Sequence, residues 1–172
     1  MIALAGCRLD AGRNASVGSL QPEQWSVCFS PRGGCTQQIV DAIGSARRTI
    51  LVQAYSFTSR PIADALIAAH GRGVTVELIA DSSQRTERQS LIGRVAEAGI
   101  PVRIDAAHAI AHNKVMILDG ETVLTGSFNF TRAAEERNAE NLLIIRDRGL
   151  ADRYTANWRT HAAHSPVFKV AF

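Results

Sequence analysis

Apolar and polar residues follow two different periods along the chain, and the period changes from one segment to the next. Near-continuous apolar runs, such as 49–55 (TILVQAY) and 74–80 (VTVELIA), predict strands that are covered on both faces of a sheet. The other predicted strands are 27–30, 101–105 and 141–145, and helical spacing predicts helices in 35–46, 59–73, 84–98 and 150–162. This alternation predicts an α/β fold, with a parallel-rich sheet and helices on both of its faces.

A predicted hairpin interrupts the alternation between residues 112 and 130. Two apolar runs, 112–118 (HNKVMIL) and 121–130 (ETVLTGSFNF), flank Asp119-Gly120, which is the strongest short sequence signal for a two-residue hairpin turn. Side chains in a strand alternate between faces, so a two-residue turn fixes which residues share a face. The polar side chains expected on one face are those of His112, Lys114, Thr125, Ser127 and Asn129.

The chemistry of this polar face suits an anion. The ammonium of Lys114 is a point charge for phosphate, and Ser127 and Asn129 can donate hydrogen bonds to its oxygens. The imidazole of His112 can serve as a nucleophile or as a general acid and base near neutral pH. The hairpin holds no carboxylate pair or Cys/His cluster for a divalent metal, so we predict phosphoryl chemistry without metal or cofactor, with His112 as the covalent nucleophile. The alternative is a sheet rim with satisfied polar residues.

Several other residues are weaker candidates for the site. Asp119 lies on the other strand parity, so we predict a structural role in which it accepts backbone N–H groups within its own turn. Tyr55 and Phe57, at the end of a predicted strand, fit either stacking on bases or packing in the core. The remaining histidines lack a matching Lys, Ser and Asn and are predicted to be surface residues: His70, His108, His161 and His164.

Length and charge place few limits on function. The 172 residues suffice for one domain with a buried core, which we place at 27–172, after a polar, Gly/Ser-rich tail at 8–26. The formal net charge of +3 is compatible with a polyanionic partner but does not require one. Among 19 basic residues, lysine occurs only at Lys114 and Lys169, which suggests that an ammonium is specifically needed at position 114.

The three cysteines bear on the cellular compartment. Cys28 and Cys35 lie seven residues apart, a spacing compatible with a disulfide in an oxidising compartment or with two buried thiols. The segment 4–7 (LAGC) resembles the lipobox of bacterial lipoproteins, in which Cys7 would become lipidated, although no basic segment precedes it. We therefore expect residues 1–26 to hold a truncated signal sequence and tail, and the protein to be exported, periplasmic or membrane-anchored in a bacterium. If the lipobox match is accidental, we expect a cytoplasmic protein.

The spacing of the hairpin residues resembles the HxKxxxxD and GSxN signature of the phospholipase D superfamily. The residues that carry this match are His112, Lys114, Asp119, Gly126, Ser127 and Asn129. Three segments also resemble the small bacterial endonucleases of that superfamily, namely 54–59 (AYSFTS), 126–131 (GSFNFT) and 138–145 (NAENLLII). The resemblance extends over roughly residues 27–160.

The resemblance implies an α/β/α sandwich with a mixed, mainly parallel sheet, and a phosphodiester hydrolase that forms a phosphohistidine without a metal. On this chain His112 would attack phosphorus, while Lys114, Ser127 and Asn129 would stabilise charge on the phosphate oxygens. Glu140 matches the family carboxylate that orients the catalytic histidine, and Asp119 and Gly126 would be structural.

The chain carries the motif once, whereas the superfamily uses two copies, one of which supplies a general acid. The resemblance therefore implies a homodimer with the active site at its interface. The expected substrate is nucleic acid, DNA or RNA, cleaved with little sequence preference because no segment resembles a base-reading module. The alternatives are a phospholipase or cardiolipin hydrolase, and a non-catalytic module that binds nucleic acid.

Overall fold

A computed structural model describes residues 24–169, which form seven strands and five α-helices. The strands are β1 (Trp25–Ser30), β2 (Thr49–Ala54), β3 (Thr75–Asp81), β4 (Val102–Asp105), β5 (Lys114–Leu118), β6 (Thr122–Gly126) and β7 (Glu140–Arg146). The helices are α1 (Cys35–Ser45), α2 (Arg60–Gly71), α3 (Ile92–Glu97), α4 (Arg132–Glu136) and α5 (Arg148–His164). The first described strand, β1, begins at Trp25, two residues before the strand predicted at 27–30.

The seven strands form one mixed sheet in the order β1-β7-β6-β5-β2-β3-β4. The β2–β3 and β3–β4 pairs are parallel, and the other four neighbouring pairs are antiparallel. The α/β fold and the mixed sheet are confirmed. Parallel pairing is less frequent than expected, because the hairpin places β5 antiparallel to both β2 and β6.

Helices cover the sheet on both faces and complete the α/β/α sandwich. Residues of α1, α2 and α3 pack on one face, where Ile39, Ile62 and Val95 are fully buried. Helix α5 packs on the other face through Trp158, which is 4% exposed and donates from Nε1 to the Val52 carbonyl at 2.9 Å. Tyr154 packs against the same cluster, so the predicted apolar face of the last helix is confirmed.

The predicted helix over 84–98 is much shorter in the structure. A 3-10 turn spans Ser82–Arg85, and α3 begins only at Ile92. The side chain of Gln84 is buried and accepts a hydrogen bond from the Phe57 N–H at 3.1 Å. This tertiary contact fixes Gln84 in the 3-10 turn, and residues 86–91 contain no apolar side chain before Leu91 to anchor a helix. Helix α4 was not predicted.

The hairpin has a three-residue connection rather than the predicted two-residue turn. Strand β5 pairs with β6 in the register Met116↔Leu124, and Asp119 and Gly120 have φ of 57° and 68°. The register differs by one residue from the expected one, so Thr125 lies on the opposite face from Lys114. The prediction that Thr125 belongs to the polar face is therefore wrong.

The carboxylate of Asp119 fixes the start of β2 instead of its own turn. Its oxygens accept the backbone N–H groups of Arg47, Arg48 and Thr49 at 3.0, 2.7 and 2.9 Å. Burial raises its pKa, but these three backbone hydrogen bonds and the Arg48 charge outweigh burial, so that the pKa lies below its ordinary value. The role is structural, as predicted, with different bonding partners, because the carboxylate joins the hairpin to the central strand.

The substitution Asp119→Asn should lower the free energy of unfolding by roughly 1–3 kcal/mol at neutral pH, because it weakens three hydrogen bonds to a carboxylate. The pKa of Asp119 is depressed in the folded state, so this stabilisation is present above the unfolded pKa and is lost as the pH falls through the folded value. Urea unfolding at neutral and acidic pH measures both effects. Glu121→Gln is the control, because Glu121 forms only exposed ion pairs, with Arg48 and Arg148. Equal effects of the two substitutions would contradict the assignment.

A disulfide joins Cys28 of β1 to Cys35 at the start of α1, with the Cα atoms 5.6 Å apart. Of the two alternatives that the sequence left open, the structure contains the disulfide. Cys7 and the rest of residues 1–23 lie outside the described residues. Among the described helices, none has the length and apolar character that a membrane span requires.

Candidate active site

The predicted site residues gather at one edge of the sheet. Strands β2, β3, β4 and β6 end at this edge, and β5 and β7 begin there. His112 and Lys114 lie at the start of β5, Ser127 follows β6, and Glu140 is the first residue of β7. Asp119 lies at the opposite edge, at the other end of β5.

His112 is exposed and directly precedes the strand. Its ring packs against the ring of Tyr55, with centroids 4.5 Å apart and planes tilted by 56°. The Tyr55 N–H donates to the Asn113 carbonyl at 2.8 Å, which fixes the backbone on which the histidine sits. The imidazole is therefore held on one side and open to solvent on the other, as a nucleophile toward a large substrate requires.

Lys114 is buried beside this histidine. Its side chain is 7% exposed, and Nζ donates to the His112 carbonyl at 2.9 Å and lies 4.9 Å from the centroid of Tyr55. Burial lowers the pKa of Lys114, and the negative charge of Glu140 partly opposes that shift. A buried ammonium with one carbonyl acceptor has two donor positions left for an anion.

Ser127 is placed to donate its hydroxyl proton outward. Its Oγ accepts hydrogen bonds from the backbone N–H and the Nδ2 of Asn141, at 3.1 and 3.4 Å, so its single O–H remains a donor. Gly126 has a φ of 144°, and a Cβ at this position would lie 2.3 Å from the Asn141 carbonyl oxygen. Glycine is therefore required for β6 to approach β7 closely enough to form this contact.

Asn129 and Glu140 complete the predicted set, with less support from direct contacts. The Oδ1 of Asn129 is buried and has no hydrogen-bond partner among residues 24–169. Glu140 accepts from Asn138 Nδ2 at 3.1 Å and acts electrostatically on Lys114. A hydrogen bond from the His112 ring to the Glu140 carboxylate is not found within the described chain, so the orienting role of Glu140 stays a prediction.

Two further residues position the histidine: Tyr55, which the sequence analysis named only for stacking or core packing, and Asp81, which it missed. Tyr55 is a packing partner of both His112 and Lys114, whereas Phe57 is fully buried in the core. Asp81, at the end of β3, is 3% exposed and accepts the Ala111 N–H at 2.8 Å. The sequence does show Asp81 as an aspartate at the end of a buried strand. It does not show that its carboxylate binds a backbone N–H 30 residues away.

The prediction that the other histidines are surface residues is wrong in part. His108 and His164 are exposed, but the side chain of His161 is only 15% exposed and His70 is half-buried. Three of them converge on a carboxylate: His108, His161 and His164 surround Asp105. They do so because α5 ends beside β4, where its last turn carries two histidines three residues apart.

Comparisons with known proteins agree with this geometry. Residues 39–161 match a family model described as cardiolipin synthase, PLD-like domain. The chain is 42% identical over 153 residues to a phospholipase D of Rickettsia bellii, covering 89% of this chain and 76% of that protein. It is also 35% identical over 141 residues to a mitochondrial cardiolipin hydrolase of Chlamydomonas reinhardtii, covering 73% of this chain and 63% of that protein.

The fold is similar to that of a solved relative. The crystal structure of Nuc from Salmonella typhimurium, a phospholipase D family member, superposes with a TM-score of 0.82 at 39% sequence identity. The match covers 85% of this chain and 98% of Nuc. The family match over most of the domain and the shared architecture agree with the chemistry of the sheet edge, and the chain belongs to the phospholipase D superfamily of phosphodiester hydrolases.

Proposed function

We propose that this protein is a metal-independent endonuclease that cleaves DNA or RNA through a covalent phosphohistidine, as a homodimer. The observation that carries the proposal is the exposed imidazole of His112 directly beside the buried ammonium of Lys114. This pair offers a nucleophile and a compensating charge for a phosphate without a metal ion.

In the first step, a ring nitrogen of His112 attacks phosphorus, so that a P–N bond forms and the bond to the leaving oxygen breaks. Negative charge on the phosphate oxygens is stabilised by the Lys114 ammonium and the Ser127 hydroxyl, with Asn129 at the same end of β6. In the second step, a water oxygen attacks phosphorus, the P–N bond breaks, and His112 returns to its neutral form.

The leaving oxygen needs a proton, and His112 of one subunit cannot supply it while acting as nucleophile. We assign this proton to the partner subunit's His112. Its imidazolium gives the proton to the leaving oxygen in the first step, and the neutral ring then accepts a proton from the attacking water. The end of the sheet at which His112, Lys114, Ser127 and Glu140 gather is called the active edge. A two-fold axis through the active edge places two identical histidines opposite each other.

Within residues 24–169, one face of β1 is left uncovered and offers a surface for this dimer. Cys28 and Ser30 point into the core, whereas Val27 and Phe29 alternate with them on the other face and are 39% and 66% exposed. Phe29 pairs with Asn141, whose backbone N–H bonds Ser127. The apolar face is therefore continuous with the active edge, and a second copy seated there would bring its own edge to the site.

Two observations support nucleic acid as the substrate. The three segments that resemble the small bacterial endonucleases surround the site, since AYSFTS ends β2, GSFNFT ends β6 and NAENLLII forms β7. The structural match to Nuc also spans nearly the whole of that chain. Nicking of supercoiled plasmid in excess EDTA tests the proposal, and cleavage that disappears in EDTA while the protein stays folded would reject the histidine mechanism.

The names of the relatives favour a lipid substrate as the second candidate. The related proteins are called phospholipase D and mitochondrial cardiolipin hydrolase, and both kinds of substrate are phosphodiesters. Ile110, two residues before His112, is 56% exposed and is an apolar side chain that could contact a membrane surface. The same assay with cardiolipin vesicles in place of the plasmid discriminates between the two substrates, since hydrolysis of cardiolipin without cleavage of plasmid would favour the lipid. Binding of DNA without cleavage of DNA or cardiolipin would favour the non-catalytic module.

The location outside the cytoplasm is a separate proposal. The Cys28–Cys35 disulfide agrees with an oxidising compartment, and the LAGC segment agrees with export and a membrane tether at Cys7. A tether would hold the enzyme at a membrane without defining its substrate. Labelling of the full-length protein with radioactive palmitate in a bacterial host, with Cys7→Ser as control, tests it.

The substitution Lys114→Arg should reduce kcat/KM roughly 10²–10³-fold, because the buried site accommodates an ammonium and a guanidinium is larger and planar. Hydrolysis of a chromogenic phosphodiester, bis(p-nitrophenyl) phosphate, measures the change. The chain offers a matched control in Lys169→Arg, since Lys169 is exposed. Activity retained by both variants would show that the buried ammonium is not needed.

A further inference from the structure

A second cluster of side chains, separate from the phosphodiesterase site, lies where β4, the loop 106–113 and the end of α5 meet. The carboxylate of Asp105 is fully buried at the end of β4. His161 Nδ1 lies 2.7 Å from its Oδ2, His108 Nδ1 lies 3.0 Å from its Oδ1, and His164 Nε2 lies 3.4 Å from its Oδ2. One carboxylate and three imidazoles thus point at a common centre.

We propose that Asp105, His108, His161 and His164 form a structural zinc site. Three imidazole nitrogens and one carboxylate oxygen are ligands that Zn²⁺ accepts in tetrahedral sites. The four ligand atoms lie within 4.8 Å of one another, and tetrahedral coordination needs a spacing of about 3.3 Å. Small rotations of the exposed His108 and His164 side chains close this difference.

The three imidazole rings lie close enough together to share one metal ion. Their centroids are 5.0, 5.3 and 5.4 Å apart. Either ring nitrogen of a neutral imidazole can carry the proton, so the nitrogen that faces Asp105 can offer its lone pair to a metal.

The protein backbone orients the carboxylate at this position. Oδ1 of Asp105 accepts the Ala107 N–H at 3.1 Å, and the residue is fully buried. The side chain of His108 is 47% exposed, which leaves an entry path for an ion.

The position of the cluster explains what the metal would do. The loop 106–113 leads from Asp105 to His112, and His161 and His164 lie in the last turn of α5. A metal bound to all three elements would tie the loop that carries the catalytic histidine to the C-terminal helix. The site would stabilise the fold, and the chemical step would not pass through it.

The test measures Zn²⁺ binding by untagged full-length protein that has first been treated with EDTA and freed of it. We expect one Zn²⁺ per chain by calorimetry, and a rise in Tm of about 5–10 °C when free Zn²⁺ is a hundredfold above its Kd. Co²⁺ should give the visible absorption bands of a tetrahedral complex.

Two exposed ligands give variants that should still fold, His108→Ala and His164→Ala, and both should abolish the zinc-induced rise in Tm. His70→Gln is the control, because His70 lies outside the cluster and should leave zinc binding unchanged. Absence of stoichiometric binding, or binding that survives in the double variant His108→Ala/His164→Ala, would overturn the proposal. Plasmid nicking is assayed in EDTA at a temperature well below the Tm of the metal-free protein, where the active site stays folded, so failure of one proposal is distinguishable from failure of the other.

Discussion

His112→Ala should lose phosphodiesterase activity by more than about a thousandfold, because it removes the nucleophile and no other described side chain takes its place beside Lys114. The measurement is nicking of supercoiled plasmid in excess EDTA, with wild type alongside. The imidazole is exposed and contributes its ring contact with Tyr55, so the variant should unfold within a few degrees of wild type.

The control for this loss is His70→Gln, which changes a histidine outside the active edge and should retain activity. A trapped intermediate gives a second readout, since denaturing wild type in detergent at alkaline pH during turnover of a labelled diester should leave phosphate bound to protein. The bound label should be acid-labile and alkali-stable, as a phosphoramidate is, and His112→Ala should carry none. Plasmid nicking by His112→Ala at the wild-type rate would assign the activity to another residue or to a contaminant.

The fold was largely predictable because its central strands carry strong local signals. β2 and β3 are apolar runs long enough to be buried on both faces, and each was predicted to within one residue at both ends. Helix α3 was overpredicted because Gln84 is fixed by the Phe57 amide, which comes from a segment 27 residues away. The local period of apolar residues holds no information on such a contact. It also does not show whether two or three residues connect the strands of the hairpin.

The predicted hairpin register was wrong by one residue, and this separates the site residues predicted from strand parity from those predicted by the motif. A three-residue connection moves Thr125 to the other face, while Ser127 and Asn129 follow the end of β6 and are not placed by strand parity. Two successive amides, of Ser127 and Phe128, both donate to the Asn141 carbonyl at 3.1 Å, and this bulge sets the direction of the chain. The motif groups these residues with His112, and they follow β6 at the same end of the strands, whereas the parity argument relied on a register that the structure does not have.

The cluster around Asp105 was not predictable because its four residues come from three separate elements. Asp105 ends β4, His108 lies in the loop that follows, and His161 and His164 lie more than 50 residues later in α5. The pair in α5 is visible in the sequence, but its proximity to Asp105 and His108 is not. Only the packing of α5 beside β4 brings them together, whereas the predicted site residues His112 and Lys114 are two residues apart in the sequence and belong to one motif.

Purified hybrid dimers of wild type and His112→Ala should be at least about a hundredfold less active than wild type, if one site at the interface needs both histidines. In a hybrid the remaining His112 can attack phosphorus, but the partner subunit's His112 is missing as the general acid, so the leaving oxygen departs unprotonated. Two independent sites would instead leave the hybrid with about half of the wild-type activity. Different affinity tags on the two subunits allow the hybrid to be isolated before the assay.

The same proposal predicts that Phe29→Asp separates the subunits and lowers activity to a similar extent, because it places a charge on the apolar face of β1 beside the active edge. Sedimentation velocity at micromolar concentration should show a dimer for wild type and a monomer for the variant. Val167→Asp is the matched control, since Val167 is 55% exposed and lies beside β4, the outermost strand on the opposite side of the sheet from β1.

A monomeric wild type with full activity would refute the shared site, because a single imidazole would then have to serve as both nucleophile and acid. If the Phe29→Asp variant stays dimeric and active, the subunits do not meet through the apolar face of β1. The hybrid dimers alone would then decide whether the two subunits share one site.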